Sequence, residues 1–396
     1  MNIKLICGYP FPIGLSATNR IISYCKGLVE NNNDVKVVII NPTEDKNNIV
    51  NKEVCGVYKG IKFQYTWADT IWPSYYPEKF FVFILSFINS LTYVYKNNSG
   101  SKIDIIVSSY DSGVVNIAYY FLSKIIKCKF VYIVDEYPSP IRYGRKPFLF
   151  RWLSIKYLYT LFDGIIVMTL TLKAYLRNKV RKETKFLVMP ITVEPERFLD
   201  NRRPSPVKGK YIAYIGELSD NKDGVNDLIE AFGLIAPEFP DLKLYIIGST
   251  KNKFECRHFL ELISKYNLEE RILLTGRVHR DFVPAYLNKA VLVALARPDT
   301  IRSQGGFPTK LGEYLATGRP VVCTAVGEIP NYLIDCENAF LVEPNNVRKF
   351  ADKLQFVLNN LVLAEKVGRE GQKLALDVFN YKVQSKRMHK FLESIC

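Results

Sequence analysis

A turn rich in small residues precedes a predicted helix in GGFPTKLGEYLATGRPVV, which spans residues 305–322. Gly305 and Gly306 let backbone N–H groups approach a ligand closely, and Pro308 suits the start of a helix because its missing donor costs nothing there. Free N–H groups and the positive end of the helix dipole favour an anion. Glu313, one turn further along, could accept hydrogen bonds from a vicinal diol. The stretch therefore predicts a site for a diphosphate and a ribose, or else a plain loop and helix with a solvated glutamate.

Two other turns follow predicted strands. In YIGELSDNKDGVNDLIEAF, residues 214–232, a strand ends at Gly216 and a polar loop carries Lys222, which could reach phosphate oxygens. A lone loop lysine is more often solvated, so this signal depends on its pairing with the first motif. The turn CGYPFPIGLSATNR contains Gly14 but lacks the Gly-x-Gly-x-x-Gly spacing of a dinucleotide site. It could close over a phosphate or serve only as a turn.

Carboxylates also lie at predicted strand ends in the first half of the chain. Asp111 stands in SSYDSG, and Asp135 and Glu136 stand in IVDEYPSP. A carboxylate at such a position could orient an acceptor hydroxyl, or could simply cap a helix. The sequence contains no Asp-x-Asp, so the usual metal–diphosphate clamp of one large transferase fold is absent. It has no Walker A pattern and no Gly-x-Ser-x-Gly, and its three histidines all lie in the second half, which argues against hydrolases, kinases and dehydrogenases.

The elements that position these residues alternate between apolar strands and helices along the 396-residue chain. Continuous apolar strands between helices predict parallel sheets covered on both faces. The Pro- and charge-rich stretch DNRRPSPVKGK interrupts the alternation. We therefore expect an α/β protein with two doubly wound, Rossmann-like domains, residues 1–200 and 211–377, joined by a linker at 201–210 and facing each other across a cleft.

The net charge of +15 is unevenly spread, since residues 1–200 hold 26 Lys and Arg against 16 Asp and Glu. A basic first half could face anionic lipid, an anionic substrate or nucleic acid, or only water. Residues 80–95 are uncharged and lie between Lys79 and Lys96. They fall short of the roughly 20 apolar residues of a span, so a buried or interfacial helix is expected. The N-terminus does not resemble a signal peptide, and eight scattered cysteines indicate a reduced, cytosolic protein.

Several stretches of the sequence resemble a known family. GGFPTKLGEYLATGRPVVCTAVGEIPNYL and the upstream YIGELSDNKDGVNDLIEAF look like the C-terminal donor domain of the family 4 glycosyltransferases, which are retaining enzymes of the GT-B fold. MPITVEPERF extends the likeness, as does the terminal FNYKVQSKRMHKFLESI. The resemblance implies that residues 378–396 form a helix that crosses back to the N-terminal domain.

The resemblance also implies roles for single residues. The family's second glutamate falls on Glu313, which should bind the ribose, whereas the first falls on Gly305, so Gln304 could substitute for it. Glu217 stands where the family has an arginine on the diphosphate, and Arg302, or as a second choice Arg297, would supply that charge. The expected donor site comprises Gly14, Gly216, Glu217, Lys222, Gln304, Gly305, Gly306, Phe307, Pro308, Thr309, Lys310 and Glu313, and the expected catalytic groups are Lys222, Arg302, Asp135 and Glu136.

The implied reaction is metal-independent sugar transfer that retains the anomeric configuration, with no cofactor and with a UDP-sugar or GDP-sugar as the donor. The expected acceptor is a glycan or lipid-linked glycan of bacterial surface polysaccharide biosynthesis. The expected location is the cytoplasm, with contact to the anionic inner face of the membrane and no nucleic-acid partner. A non-catalytic sugar-nucleotide-binding protein and a sugar-nucleotide epimerase of the same fold stay open as alternatives.

Overall fold

A computed structural model describes residues 1–138, 141, 157–199, 207–250 and 252–396. The chain divides into two units: unit 1 comprises Met1–Pro190 and Tyr381–Cys396, and unit 2 comprises Ile191–Asn380. The chain therefore enters unit 2 ten residues before the boundary expected at residue 200. Val193 forms a β-bridge with Asn380, which ties this early segment to unit 2. Residues 201–206 of the expected linker lie outside the described residues.

Unit 1 is built on an eight-stranded sheet in the order β3-β4-β2-β1-β5-β6-β7-β8. The edge strand β3 runs antiparallel to β4, and the other pairings are parallel. The strands are β1 (Asn2–Cys7), β2 (Asp34–Ile39), β3 (Cys55–Tyr58), β4 (Ile61–Tyr65), β5 (Ile105–Ser108), β6 (Lys129–Val134), β7 (Gly164–Val167) and β8 (Lys185–Val188). The helices are α1 (Ser16–Glu30), α2 (Tyr76–Gly100), α3 (Gly113–Ile125), a 3-10 turn (Leu158–Leu161), α4 (Leu170–Arg177) and, from the end of the chain, α14 (Tyr381–Ile395).

The terminal helix α14 is part of the core of unit 1. Met388, Leu392 and Ile395 pack with β1 and α1 in one apolar cluster, and Tyr381 donates a 2.8 Å hydrogen bond to Glu30. α1 approaches α14 closely because it has a glycine at residue 27, where a Cβ atom would lie 1.9 Å from the Ser385 hydroxyl.

Unit 2 is built on a six-stranded parallel sheet in the order β11-β10-β9-β12-β13-β14. The strands are β9 (Tyr211–Ile215), β10 (Lys243–Ile247), β11 (Ile272–Gly276), β12 (Leu292–Leu295), β13 (Val321–Thr324) and β14 (Phe340–Val342). The helices are α5 (Glu196–Leu199), α6 (Asp220–Asp223), α7 (Val225–Ile235), α8 (Lys253–Lys265), α9 (Val283–Leu287), α10 (Ile301–Gly305), α11 (Lys310–Ala316), α12 (Val347–Asn359) and α13 (Leu361–Asp377), with 3-10 turns at Arg280–Phe282 and Ile329–Asn331.

Two local differences from the sequence-based expectation affect the site. The polar loop expected around Lys222 forms the single helical turn α6, and the Gly-Gly turn is preceded by the short helix α10. Thr300 starts α10 by accepting a hydrogen bond from the N–H of Ser303, as N-cap threonines do. α11 begins at Lys310, two residues after Pro308.

The alternation of strands and helices predicted from the sequence is confirmed in both units. Strand β1 is buried along its whole length, as expected for the interior of a parallel sheet. Among the described residues, no helix combines the length and the hydropathy needed to cross a membrane.

Candidate functional site

The candidate site in unit 2 lies where the order of the strands reverses direction. The chain moves outward from β9 to β10 and β11 and then returns to place β12 on the other side of β9. The loops that follow β9 and β12 touch each other there, because a Cβ atom at Gly224 would lie 1.9 Å from the carbonyl oxygen of Ala296. Gly224 also has a φ of +65°, which favours glycine. Ligands of doubly wound sheets bind at such reversals.

A buried ion pair joins the two predicted motifs. Lys310 Nζ, at the start of α11, lies 2.7 Å from Asp223 Oδ2 of α6. It also lies 3.0 Å from the Tyr214 hydroxyl, which donates to the carbonyl oxygen of Glu217 at 2.7 Å. The Lys310 ammonium passes over Gly216, where a Cβ atom would be 2.0 Å from Nζ. Gly216 is therefore needed to let Lys310 reach Asp223.

The electrostatics of this pair favour its charged form. Burial by itself would raise the pKa of Asp223, but the Lys310 ammonium, together with Arg297 and Lys222, outweighs burial and holds that pKa below its ordinary value. Burial lowers the pKa of Lys310, and Asp223 opposes that shift. Lys222 and Arg297 also act on both groups. One carboxylate thus lies among three cations, which makes the region suitable for an anion.

The Gly-Gly turn offers backbone donors next to these cations. The N–H groups of Gly306, Phe307, Thr309 and Lys310 donate to no acceptor in the part of the chain that the structure describes. Arg297 is buried beneath this turn, with Nη2 3.3 Å from the place of a Cβ atom on Gly306. A larger residue at position 306 would press on that guanidinium.

The side chain of Phe307 is part of the core. Its ring stacks on Tyr332 with centroids 5.4 Å apart and meets Phe379 edge-on at 5.7 Å, so Phe307 offers a ligand only its backbone. Pro308 is also buried.

Glu313, predicted to hold a ribose, already has a partner in unit 2. Arg197 Nη1 of α5 lies 2.9 Å from Glu313 Oε1, and Arg197 also donates to the carbonyl oxygen of Arg280 at 2.8 Å. Arg280 in turn pairs with the buried Glu194 at 3.0 Å. This network fixes one carboxylate oxygen of Glu313. Sequence reasoning did not single out Arg197, although it lies in the motif MPITVEPERF that carried part of the resemblance.

The other predicted residues of the donor site occupy different surroundings. Gln304 is exposed and its amide donates to Asp299 at 3.1 Å. Glu217 is exposed after β9, and Arg302 lies on α10, partly buried. Gly305 is buried at the end of α10 and Thr309 is partly buried.

Gly14 belongs to unit 1, in the turn after β1. A Cβ atom there would lie 2.1 Å from the Thr18 hydroxyl, which donates to the Pro10 carbonyl oxygen at 2.7 Å. The glycine therefore shapes its own turn.

The reversal of strand order in unit 1, between β1 and β5, also holds charged groups. Arg20 of α1 donates to Asp135 Oδ2 at the end of β6. Burial raises the pKa of Asp135; Arg20 opposes this rise, while Glu136 and Asp111 add to it. Asp135 also raises the pKa of the Tyr9 phenol, a shift due mainly to burial. The predicted carboxylates thus lie near one another, and Arg20 is a member that the sequence analysis missed.

No group of three or more His, Cys, Asp and Glu side chains suited to a metal ion occurs among the described residues. The cysteines are free, and Cys7, Cys25, Cys128 and Cys323 are buried.

Part of the chain is similar in sequence to known glycosyltransferases. Residues 209–360 match the family model "Glycosyl transferases group 1". The chain is 26% identical over 236 residues to the capsular polysaccharide biosynthesis glycosyltransferase CapM of Staphylococcus aureus, with 55% of this chain and 58% of CapM covered. It is 27% identical over 216 residues to the putative colanic acid biosynthesis glycosyltransferase WcaL of Escherichia coli, with 53% and 52% covered. The matches thus span about half the length of these curated relatives.

Solved structures resemble the whole chain. Sucrose-phosphate synthase from Thermosynechococcus elongatus superimposes with a TM-score of 0.77 at 18% identity, covering 100% of this chain and 98% of that one. Anabaena HepE in complex with UDP gives a TM-score of 0.73 at 15% identity and full coverage of both chains. The fold is GT-B. The family model and these neighbours together support a glycosyltransferase of this fold.

Proposed function

We propose that this protein is a retaining glycosyltransferase of family 4. It transfers a sugar from a nucleoside diphosphate sugar to a glycan or lipid-linked glycan in bacterial surface polysaccharide biosynthesis. The proposal rests on the position of a cluster of cations in unit 2. The segment that matches the group 1 glycosyltransferase model contains the cluster of Lys222, Arg297 and Lys310 at the reversal of strand order.

The nucleotide part of the donor is supported by chemistry and by relatives. A cation cluster beside unpaired backbone N–H groups suits a diphosphate, and Glu313 keeps a second carboxylate oxygen that could accept from a ribose diol. Solved relatives of similar fold hold UDP and UDP-glucose, as in the Anabaena HepE complexes. We propose a UDP-sugar as the donor and keep a GDP-sugar as the alternative for the base.

In the proposed reaction the bond between the anomeric carbon and the phosphate oxygen breaks, and a bond forms from the acceptor oxygen to the same face of that carbon. The acceptor proton passes to the departing phosphate. Lys222, Lys310 and the backbone N–H groups of Gly306 and Phe307 stabilise the negative charge that develops on the diphosphate. Arg297, beneath the turn, adds to their field. We propose Arg297, in preference to Arg302, as the replacement for the arginine missing at position 217, because its guanidinium lies next to Gly306.

Unit 1 is proposed to serve the acceptor. Asp135 is partly buried, carries a raised pKa and lies at the carboxyl edge of its sheet, where it could accept a hydrogen bond from a sugar hydroxyl. Glu136 is its neighbour in this role. The free cysteines suit a reducing compartment, so we propose that the reaction takes place on the cytoplasmic side of the membrane.

One observation favours a second candidate, a non-catalytic protein that binds sugar nucleotides. Gly305 stands where the family has its first glutamate, and the amide of Gln304, the expected substitute, is engaged by Asp299. A binding protein would need the diphosphate and ribose contacts without that side chain.

The first test is a thermal-shift screen of UDP, GDP, ADP and their sugars with the full chain. A ligand at 100 times its dissociation constant stabilises a protein by about 2.7 kcal/mol, which such a screen detects. We expect a clear shift with one nucleoside diphosphate, followed by release of that diphosphate when sugar donor and acceptor glycan are supplied. No shift with any of them would contradict the proposal, and a shift without turnover on a panel of acceptors would favour the binding protein.

A further inference from the structure

Helix α2 buries small side chains against unit 1 and exposes several large ones. Its buried face consists of small or polar residues at four-residue spacing, namely Val82, Ser86, Ser90 and Val94. The hydroxyl of Ser86 donates back to the helix at the Val82 carbonyl oxygen, and Ser90 accepts a 2.8 Å hydrogen bond from Tyr119 of α3. The face that usually carries the large apolar residues of a helix on a sheet therefore carries two serines and two valines.

Five large side chains of α2 point outward. Phe80, Phe81, Leu85, Ile88 and Tyr95 are each about half exposed or more. With 3.6 residues per turn, these five positions fall within an arc of about 140°. The sequence indicated a buried or interfacial helix here, and the structure adds which side is apolar.

Helix α3 continues the same outer surface. Val114, Ile117, Phe121 and Ile125 are exposed and recur at spacings of three and four residues, which places them on one face. The hydrogen bond from Tyr119 to Ser90 joins the two helices side by side. Both helices connect parallel strands in the same direction across the sheet, so they lie on the same face of it. We call the outward residues of α2 and α3 the outer apolar surface of unit 1.

The charges around this surface indicate what covers it. α2 contains Lys79 near its start and Lys96 near its end, and α3 has Lys124 in its last turn. Glu78 is the one acidic residue in the sequence of the two helices. Protein interfaces are depleted in lysine, whereas anionic lipid attracts it. Apolar and aromatic side chains flanked by lysines are typical of helices that lie in a membrane interface.

We propose that the outer apolar surface of unit 1 binds an anionic lipid bilayer, with α2 and α3 lying in its interfacial plane. The buried stripe of α2 stays on the sheet while the phenylalanines enter the acyl boundary and Lys96 and Lys124 contact lipid phosphates. This proposal stands on unit 1 and is independent of the donor site in unit 2.

The test is co-sedimentation of the full chain with vesicles of phosphatidylcholine, with and without phosphatidylglycerol, at low and high salt. We expect binding that needs phosphatidylglycerol and falls as salt rises. The triple variant Phe80→Ser, Phe81→Ser, Phe121→Ser should bind at least about tenfold more weakly, because it removes three large apolar side chains from the contact. Lys96→Gln with Lys124→Gln should weaken binding by about fivefold per lysine.

The matched control is Phe254→Ser, which removes an exposed phenylalanine of α8 in unit 2 and should leave vesicle binding unchanged. Circular dichroism and melting temperature verify that each variant is folded, and the nucleotide thermal shift reports separately on unit 2. Absence of wild-type binding to phosphatidylglycerol vesicles, or equal binding by the triple variant, would overturn the proposal. A dimer in solution that the triple variant dissociates, without lipid binding, would assign the surface to a second copy of the chain instead.

Discussion

Both units place charged side chains at the carboxyl edge of a sheet, near the reversal of strand order, and give them opposite electrostatics. In unit 2 the carboxylate of Asp223 lies among Lys222, Arg297 and Lys310, and its pKa is lowered. In unit 1 Asp135 pairs with Arg20 but has Glu136 and Asp111 near it, and its pKa is raised. The reversal of strand order supplies a position for a ligand in both cases. The side chains at that position then decide whether it suits a diphosphate or a neutral hydroxyl.

The largest expected effect tests whether the unit 2 pair is as strong as its burial implies. Lys310→Met leaves the Asp223 carboxylate buried without its ammonium, and breaking a buried pair in this way costs about 3–5 kcal/mol. Urea unfolding measures the loss. Adding Asp223→Asn to Lys310→Met should recover a large part of that stability. If Lys310→Met alone unfolds like the wild type, the pair contributes nothing to the fold.

The second prediction concerns the ribose. Glu313→Ala removes a charged acceptor, and hydrogen bonds to charged groups contribute about 1.5–3 kcal/mol, so affinity for the nucleoside diphosphate should fall roughly 10- to 100-fold. Titration calorimetry measures this. Asp135→Asn in unit 1 is the matched control, since its carboxylate is assigned to the acceptor and nucleotide affinity should not change. Unchanged nucleotide binding by Glu313→Ala would remove the ribose from this helix.

The third prediction separates charge from position at the diphosphate. Lys222 is partly exposed on α6, and its charge matters most when the diphosphate departs. Lys222→Ala should therefore lower kcat by about 10²-fold, as loss of one group that stabilises developing charge does, with a smaller effect on KM. Lys222→Arg keeps the charge and should retain more of the rate. Equal steady-state kinetics for Lys222→Ala and wild type would mean that this lysine is only solvated.

Much of this arrangement could be predicted from the sequence, because strands and helices follow local patterns of apolar residues. The Gly-Gly turn, Lys222 and Glu313 were singled out by residue type and spacing, and their roles at the site stay predictions. The Lys310–Asp223 pair and the Arg197–Glu313 pair could not be found so, since each joins residues far apart in the chain whose contact depends on tertiary packing. Position 216 illustrates why sequence patterns are insufficient here. A glycine is required there because of Lys310, which lies 94 positions later in the chain.

The opposite pKa shifts of Asp223 and Asp135 give a fourth prediction, in which the two residues change the stability of the folded protein with pH in opposite directions. The unfolded pKa of an aspartate is about 3.9. The pKa of Asp223 is lower than this in the folded protein. Ionised Asp223 therefore stabilises the folded protein above about pH 3.9, and this stabilisation is lost as the pH falls through the pKa that Asp223 has in the folded state. The pKa of Asp135 is raised in the folded protein. Ionised Asp135 therefore destabilises the folded protein, and the folded state gains stability as the pH falls from the raised pKa toward about 3.9. Carboxyl ¹³C NMR, assigned with Asp223→Asn and Asp135→Asn, should show Asp135 protonating first on acidification. The reverse order would mean that Arg20 dominates burial in unit 1.

The smallest expected effect is that of metal removal on sugar transfer. A divalent cation on a diphosphate is usually held by carboxylates, and Asp223, the carboxylate among the cations of unit 2, is already bound by Lys310. Lys222, Lys310 and the N–H groups of the Gly-Gly turn can neutralise the diphosphate in the place of a metal. The rate of transfer should therefore be unchanged, within error, in EDTA. A loss of activity in EDTA that Mg²⁺ or Mn²⁺ restores would show that the cations of unit 2 are insufficient. In that case the contrast between the two units would describe stability and not catalysis, since a metal would then supply the charge that we assign to the lysines.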